Sequence, residues 1–343
     1  MSKRKLTRQQ QFRIQRVQQE RLARAKKKDA KIEEQIDSGQ LGEPEPGLII
    51  AHYGATIDVQ AEDGRVLRCS VRSNLPALVT GDQVVWQPDD NNGGVINAVK
   101  ERRSILTRPD VRGNLRPVAA NVDRIIIVIA PSPRTPVNLI DRYLVATAHD
   151  DIHPVILLNK ADLIGQAPEM KQELQQYQQL GYEVHIDSAK EPAGLKHIQA
   201  LVAQGNSVFV GQSGVGKSSI INKLLPNEDI RVGEISEATG KGKHTTTTAK
   251  LYNIPSGGRL IDSPGIREFG LWHTTEEDLA KGFPDVDEHA HHCKFSDCSH
   301  THEPGCALKA AVENGDVLQR RLDSFLSIRD SLDEVTMKGN DYD

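Results

Sequence analysis

The sequence has no apolar run that can cross a bilayer. Its longest, residues 125–130, is far shorter than the roughly 20 residues a spanning helix needs. Lys3, Arg4 and Lys5 stand near the N-terminus, but no apolar h-region follows them, so a secretory signal is not expected and the cytoplasm is. Cysteine is scarce too: of four in 343 residues, three fall between 293 and 306 and Cys69 stands apart. That distribution favours a metal site in a reducing compartment over a disulfide framework. Cys69, alone in an expected strand, reads as a buried small apolar residue.

Charge is present but unevenly placed. Residues 1–31 hold twelve Lys/Arg against Glu20 and Asp29, a net +10 that leaves −14 on the rest of a chain whose total is −4. A basic arm on an acidic body suits an anionic polymer, because neutralising phosphates releases counterions; a solvated tail is the other reading. Residues 42–47 (Gly-Glu-Pro-Glu-Pro-Gly) read as a linker.

Apolar residues, 37% of the chain, support real cores. Short β-like runs at 48–53, 55–59, 65–71, 83–87 and 94–99, separated by turn clusters, suit a small closed barrel. The oligonucleotide-binding (OB) type is the first choice and an SH3-like barrel the runner-up. Beyond Pro109 strands and helices alternate as a parallel α/β sheet requires, with strands expected at 123–130, 155–158, 183–186, 207–210, 250–254 and 259–261. Helices are expected near 139–148, 169–180, 195–202 and 217–225. At the C-terminus Leu318, Leu322, Phe325, Ile328 and Leu332 recur at three- and four-residue spacing, an amphipathic helix. The expected division is arm and linker 1–46, barrel 47–112, nucleotide domain 113–273 and a metal-binding helical unit 274–343.

Gly211, Gln212, Ser213, Gly214, Val215, Gly216, Lys217 and Ser218 fit the phosphate loop GxxxxGK[ST] between a β-branched strand and a helix. Such glycines let consecutive N–H groups turn toward phosphates, while Lys217 reaches the outer phosphates and the Ser218 hydroxyl ligates Mg²⁺. Asn159-Lys160-Ala161-Asp162 fits NKxD, whose carboxylate accepts from two guanine donors that adenine does not present. This tetrapeptide precedes the phosphate loop, the reverse of the ordinary GTPase order. Ser188-Ala189-Lys190 fits the loop that supports the guanine carbonyl, and Asp262 to Gly265 fits DxxG, with Asp262 toward Mg²⁺ and Gly265 toward the γ-phosphate. The run of threonines at 245–248 offers a hydroxyl to Mg²⁺; Thr246 is one choice among four. The residue after DxxG is Ile266, so the Gln that commonly orients the attacking water is missing. His244 is the nearest polar substitute, or simply a solvated loop histidine, and slow intrinsic hydrolysis raised by a partner is expected.

Cys293, Cys298, His300 and Cys306 make a Cys₃His set with structural Zn²⁺ spacing and no open position for catalysis. His291, His292 and His302 compete for the nitrogen position.

The order NKAD, SAK, phosphate loop, threonine run and DSPG, followed by the cysteine cluster, resembles the RsgA/YjeQ family of circularly permuted GTPases of small ribosomal subunit biogenesis. The likeness runs from barrel to metal unit. It implies an OB domain, a permuted GTPase domain and a zinc domain acting on the 30S subunit in late maturation, with weak intrinsic GTP hydrolysis stimulated by that particle. Residue by residue it supports Asn159, Lys160 and Asp162 for guanine, Gly211 through Ser219 for phosphates, the four zinc ligands, and a role for His244 beside an apolar residue at 266. The partners expected are GTP/GDP, the 30S subunit and its 16S rRNA; no membrane partner is expected, and the protein is expected to be monomeric. The alternative is an RNA-binding regulator that uses GTP as a structural or switch ligand.

Overall fold

The computed structural model describes residues 41–53, 56–90, 92–109, 114–150, 152–228, 249–262 and 274–340. The basic arm lies outside them. The chain forms two compact units, one ending at Arg102 and the other beginning at Arg103.

In the first unit β1 (Glu45–Tyr53), β2 (Thr56–Ala61), β3 (Val66–Val71), β4 (Gln83–Pro88) and β5 (Gly93–Val99) close into a barrel. The ring runs β1-β2-β3-β5-β4 and back to β1, with β3 and β5 parallel. This is the OB-like order, so the SH3-like alternative falls away. Alternation explains the inner face: Ile57, Val59 and Ala61 of β2 are buried in turn. Cys69 is fully buried, and burial pushes its thiol up to about 12.

One expectation is corrected here. The second half of the segment read as a linker, residues 45–47, is already strand, because β1 starts at Glu45 and Pro46 lies opposite Val85 of β4. Its glycine is a packing device. A Cβ on Gly47 would sit 2.8 Å from Trp86 Cδ1, and one on Gly94 would sit 2.7 Å from Trp86 Cε3. The two glycines make room for a fully buried indole.

The second unit opens with a hairpin, β6 (Ile105–Pro109) and β7 (Leu115–Ala120), which sequence reasoning did not anticipate. Then come β8 (Arg124–Ile129), α1 (Val137–His149), β9 (His153–Leu158), a 3₁₀ turn (Ala161–Gln166) and α2 (Glu169–Gln179). The alternation continues with β10 (Glu183–Ile186), α3 (Pro192–Leu201), β11 (Asn206–Val210), α4 (Lys217–Leu224), β12 (Lys250–Asn253) and β13 (Arg259–Asp262). Every residue of β11 is buried, as is all of β8 after Arg124, so neither strand alternates and both sit mid-sheet. The order within this unit is β10-β9-β8-β11-β13-β12, parallel except for β12–β13. The chain builds outward from β8 to β10 and then returns across β8 to β11. That reversal puts a switch point between β8 and β11, where α/β sheets bind ligands at strand carboxyl ends.

Four helices follow: α5 (Glu276–Gly282), α6 (Pro284–Ala290), α7 (Ala307–Asn314) and α8 (Gln319–Asn340). The amphipathic stripe of α8 packs as the spacing implied, with Leu322 and Ile328 buried. The same core contains Val145, which α1 supplies.

Candidate nucleotide site and metal centre

The loops after β8, β9, β10 and β11 converge. Asn159, at the end of β9 and nearly fully buried, is the tie between them. Its Nδ2 donates to Val215 O at 2.9 Å in the phosphate loop, and its Oδ1 accepts from Ala189 N at 3.0 Å in the SAK loop. One Nδ2 hydrogen and the carbonyl oxygen are thus committed to protein. A Cβ on Gly216, whose φ is +101°, would lie 2.3 Å from Asn159 Nδ2. Glycine is needed there for both backbone geometry and the approach of Asn159.

Lys160 adopts the left-handed conformation at φ 60°. Its Nζ donates to Ser132 O and Gly214 O, both at 2.7 Å. Asp162 accepts from Ser188 Oγ at 2.6 Å, with Lys190 Nζ 3.7 Å away. The Ser188 hydrogen bond first, and Lys190 after it, hold this carboxyl below its ordinary range. It is an ionised acceptor in a fixed setting, suited to a base edge that offers two donors. Lys223 Nζ of α4 donates to Ala189 O at 2.6 Å, so the helix leaving the phosphate loop also fixes the SAK loop.

In the phosphate loop Lys217 Nζ lies 2.5 Å from Gly211 O and 2.7 Å from Gln212 O, across the mouth of the turn. Gly214 and Gly216 have positive φ, and α4 begins at Lys217, so N–H groups and a helix N-terminus face one point. Ser218 and Ser219 occupy the first turn of α4. Asp262 ends β13, next to β11 in the sheet. His244, Thr246 and Gly265 lie outside the described residues. The residues present fit a guanine nucleotide with Mg²⁺: a phosphate cradle with its lysine, a hydroxyl and a carboxylate for the metal, and an ionised carboxylate for the base.

Sequence reasoning missed a fourth wall. Residues 131–136 follow β8 and brace the phosphate loop: Gln212 Nε2 donates to Pro133 O and Arg134 O at 3.1 Å and to Thr135 Oγ1 at 3.3 Å. Three prolines directly after a buried strand were the available signal. Tyr143 of α1 was missed as well. Burial pushes its phenol up, and a hydrogen bond from the Gly211 backbone partly offsets this.

At the metal centre one atom from each of Cys293, Cys298, His300 and Cys306 lies within 4.8 Å of the others. Cys293 Sγ is 3.5 Å from His300 Nδ1 and 3.9 Å from Cys306 Sγ, and Cys306 Sγ is 3.6 Å from the same nitrogen. A tetrahedron with Zn–S arms of about 2.3 Å has S–S edges of about 3.8 Å, so the cluster can hold one zinc ion. The competing histidines are turned elsewhere: His291 to Asp287, His292 to Glu288 O and His302 to Thr301. Ala307 N, at the start of α7, donates to Cys293 Sγ at 3.3 Å, which favours the thiolate.

A parallel sheet that carries a guanine-type tetrapeptide on β9 and, later in the chain, the phosphate loop on β11, with an OB-like barrel before it and a Cys₃His centre after it, defines a circularly permuted P-loop GTPase. The profile of the RsgA GTPase family matches residues 99–272. The chain is 53% identical over 340 residues to the small ribosomal subunit biogenesis GTPase RsgA of Azotobacter vinelandii, covering 97% of this chain and 99% of that one. It is 52% identical over 340 residues to the protein of that name in Hahella chejuensis, covering 97% and 98%. Among solved structures it is similar to YjeQ from Thermotoga maritima, at TM-score 0.68 and 30% identity over 83% of this chain and 97% of that one. The circularly permuted GTPase YloQ aligns at TM-score 0.66 and 30% identity over 85% and 96%. The chain belongs to the RsgA GTPase family, and it is a GTP hydrolase. Among the described residues no helix is long and apolar enough to cross a membrane.

Proposed function

We propose that this protein is a cytoplasmic, monomeric GTPase that binds the 30S ribosomal subunit and its 16S rRNA in late maturation and departs after hydrolysing GTP. The observation that carries the nucleotide reading is the Asn159 side chain, which joins three motifs from distant parts of the chain into one site. The ribosomal reading rests on family membership and on the names its relatives bear. Asn159, Lys160 and Asp162 select guanine, supported by Ser188, Ala189 and Lys190. The phosphate loop from Gly211 to Ser219 holds the phosphates, with Lys217 on the outer ones. Ser218, Thr246 and Asp262 serve Mg²⁺, Gly265 senses the γ-phosphate, and His244 supports attack by water where Ile266 replaces the usual Gln. Bound Mg²⁺ neutralises charge developing on the phosphates. In chain order the barrel, at 47–112, precedes the nucleotide domain at 113–273, and the zinc unit follows from residue 274. With the basic arm of 1–46 the barrel and the zinc unit form the ribosome-binding surfaces.

GTP turnover measured with and without purified 30S subunits tests this. Strong stimulation is expected; a rate that stays flat would overturn the ribosomal role. Asp162→Asn is expected to weaken GTP binding about 10- to 150-fold, the worth of a hydrogen bond to a charged group. The same change should favour xanthine nucleotide, because the new amide donor meets the xanthine carbonyl. Competition binding with GTP and XTP reads both.

A further inference from the structure

Helix α1 is shared by the two sites. Toward the phosphate loop it leads back to Thr135, whose Oγ1 accepts from Gln212 Nε2 and from Ala130 N, both at 3.3 Å. It also continues directly from the 131–136 segment that braces Gln212. Toward the metal unit it presents Asp141, fully buried, whose Oδ1 accepts from Arg321 Nη1 of α8 at 2.6 Å and from Tyr177 Oη at 2.7 Å. Arg321 is itself fully buried and also grips Asp285 of α6 at 2.6 Å through Nη2. Its guanidinium lies 4.1 Å from the Phe283 ring centroid. Phe283 stands edge-on to Phe325 at 5.5 Å, and Phe325 contacts the metal ligand His300 at 6.4 Å. A series of packed groups therefore runs from the metal centre through α1 to the segment that braces Gln212 of the phosphate loop.

We propose that Arg321 is a positioning residue for the nucleotide site: by holding Asp141 it fixes α1, and through the 131–136 brace it ties the geometry of the phosphate loop to the placement of the metal unit. Arginine suits the task because one planar fork reaches carboxylates on two helices while its face stacks on an aromatic ring. A lysine keeps the charge but reaches one carboxylate as a point donor. The inference rests on the guanine-nucleotide reading of the site and adds a second line of communication to it.

The test is release of a fluorescent GDP analogue, mant-GDP, from the full-length zinc-loaded protein, with zinc content and melting temperature measured on every variant. Arg321→Lys is expected to speed release about 3- to 30-fold with zinc retained, the range that coupling through packed networks reaches. Thr135→Val, which removes a brace acceptor just ahead of the helix, should act similarly. The double variant should release no faster than the faster single, since both changes loosen one element. A role confined to holding the metal unit together would lower zinc retention or melting temperature and leave release alone. The proposal is overturned if Arg321→Lys releases at the wild-type rate with zinc bound, or if the two effects multiply. Should Arg321→Lys fail to fold, Asp141→Asn replaces it under the same criteria. A wild-type protein that does not bind mant-GDP would sink the nucleotide assignment itself, and this inference with it.

Discussion

The barrel and the metal unit solve the problem of a small core in opposite ways. The barrel closes on its own strands: its buried cluster, from Ile49 to Ile96 around Trp86, comes entirely from the unit it stabilises. The metal unit has four helices and a cysteine loop, and its cluster includes Val145 from a helix that lies far earlier in the chain. A Cβ on Gly282 would sit 2.5 Å from Val145 Cγ2, so α5 presses its backbone onto α1. A closed sheet has no edge to cover. Three short helices and one long one bury too little apolar surface alone and need a metal, a neighbour or both. The metal unit is therefore an extension of the nucleotide domain, whereas the barrel has a core of its own.

Arg321→Met should separate the two units most strongly. It would leave the buried carboxylates of Asp141 and Asp285 without their cation, a loss of about 3–5 kcal/mol. In urea unfolding the loss is expected in the transition of the second unit. The fluorescence of Trp86, read in a Trp272→Phe background, should keep its midpoint. An equal shift in both signals would show that the barrel depends on the same hub.

The converse change belongs to the barrel. A Cβ on Gly94 would lie 2.6 Å from Gln87 O, which is backbone and cannot swing aside, and 2.7 Å from the Trp86 ring. Gly94→Ala should cost about 1–3 kcal/mol through overpacking. The Trp86 transition should move while zinc content and GDP affinity stay unchanged; altered GDP affinity would join what the comparison separates.

Within the metal unit, Glu303 organises the loop that carries Cys298 and His300. Its carboxylate accepts from Ser299 N at 3.0 Å, Ser299 Oγ at 2.5 Å, and Thr301 N and His302 N at 3.2 Å. Those donors, the Ser299 hydroxyl foremost, hold its pKa far below the usual carboxylate range. Glu303→Gln trades acceptor capacity for an amide that cannot serve every N–H. Zinc affinity should fall about 10- to 100-fold, the usual effect of losing a supporting partner. Competition with a chromophoric chelator measures it, and unchanged affinity would mean that the loop is preformed without Glu303.

Much of this architecture was legible in the sequence because the signals are local. β-branched runs marked all five barrel strands, and the phosphate loop, NKAD and the cysteine spacing fell where strand ends and loops place them. What stayed illegible depends on partners remote in the chain. Arg320 and Arg321 are neighbours in an amphipathic stretch, and nothing local distinguishes them. Arg321 is the buried one because Asp141, 180 residues away, and Asp285, 36 residues away, converge on it. The linker reading of residues 42–47 failed at 45–47 for a related reason. Proline and glycine usually punctuate chains, but Gly47 is dictated by an indole 39 positions later, across the β1–β4 pair. The β6–β7 hairpin escaped because Arg116 and Pro117 disguise a short strand.

The smallest effect is expected at the C-terminal end of α1, where that helix meets α5. His149 Nδ1 lies 2.8 Å from Asp278 Oδ2, which also accepts from Thr275 N at 2.9 Å and so caps α5. Beside them Asp150 is half-buried; burial, reinforced by the charge of Asp278 and opposed by His149, pushes its carboxyl up to about 7. Its folded pKa thus lies above the unfolded value of about 4. Between these values the folded state holds more protons than the unfolded one, so stability from this group is full at acid pH and is lost as pH rises toward 7. Asp278 has the opposite sign. Burial raises its pKa, but the Thr275 and His149 hydrogen bonds outweigh that and lower it overall, so its contribution is lost as pH falls below the ordinary carboxylate range. Asp150→Asn should therefore flatten the decline in melting temperature between pH 5 and pH 8, raising stability at pH 8 and leaving the acid limb in place. A decline of unchanged slope would show that Asp150 is already ionised at the α1–α5 junction near neutral pH.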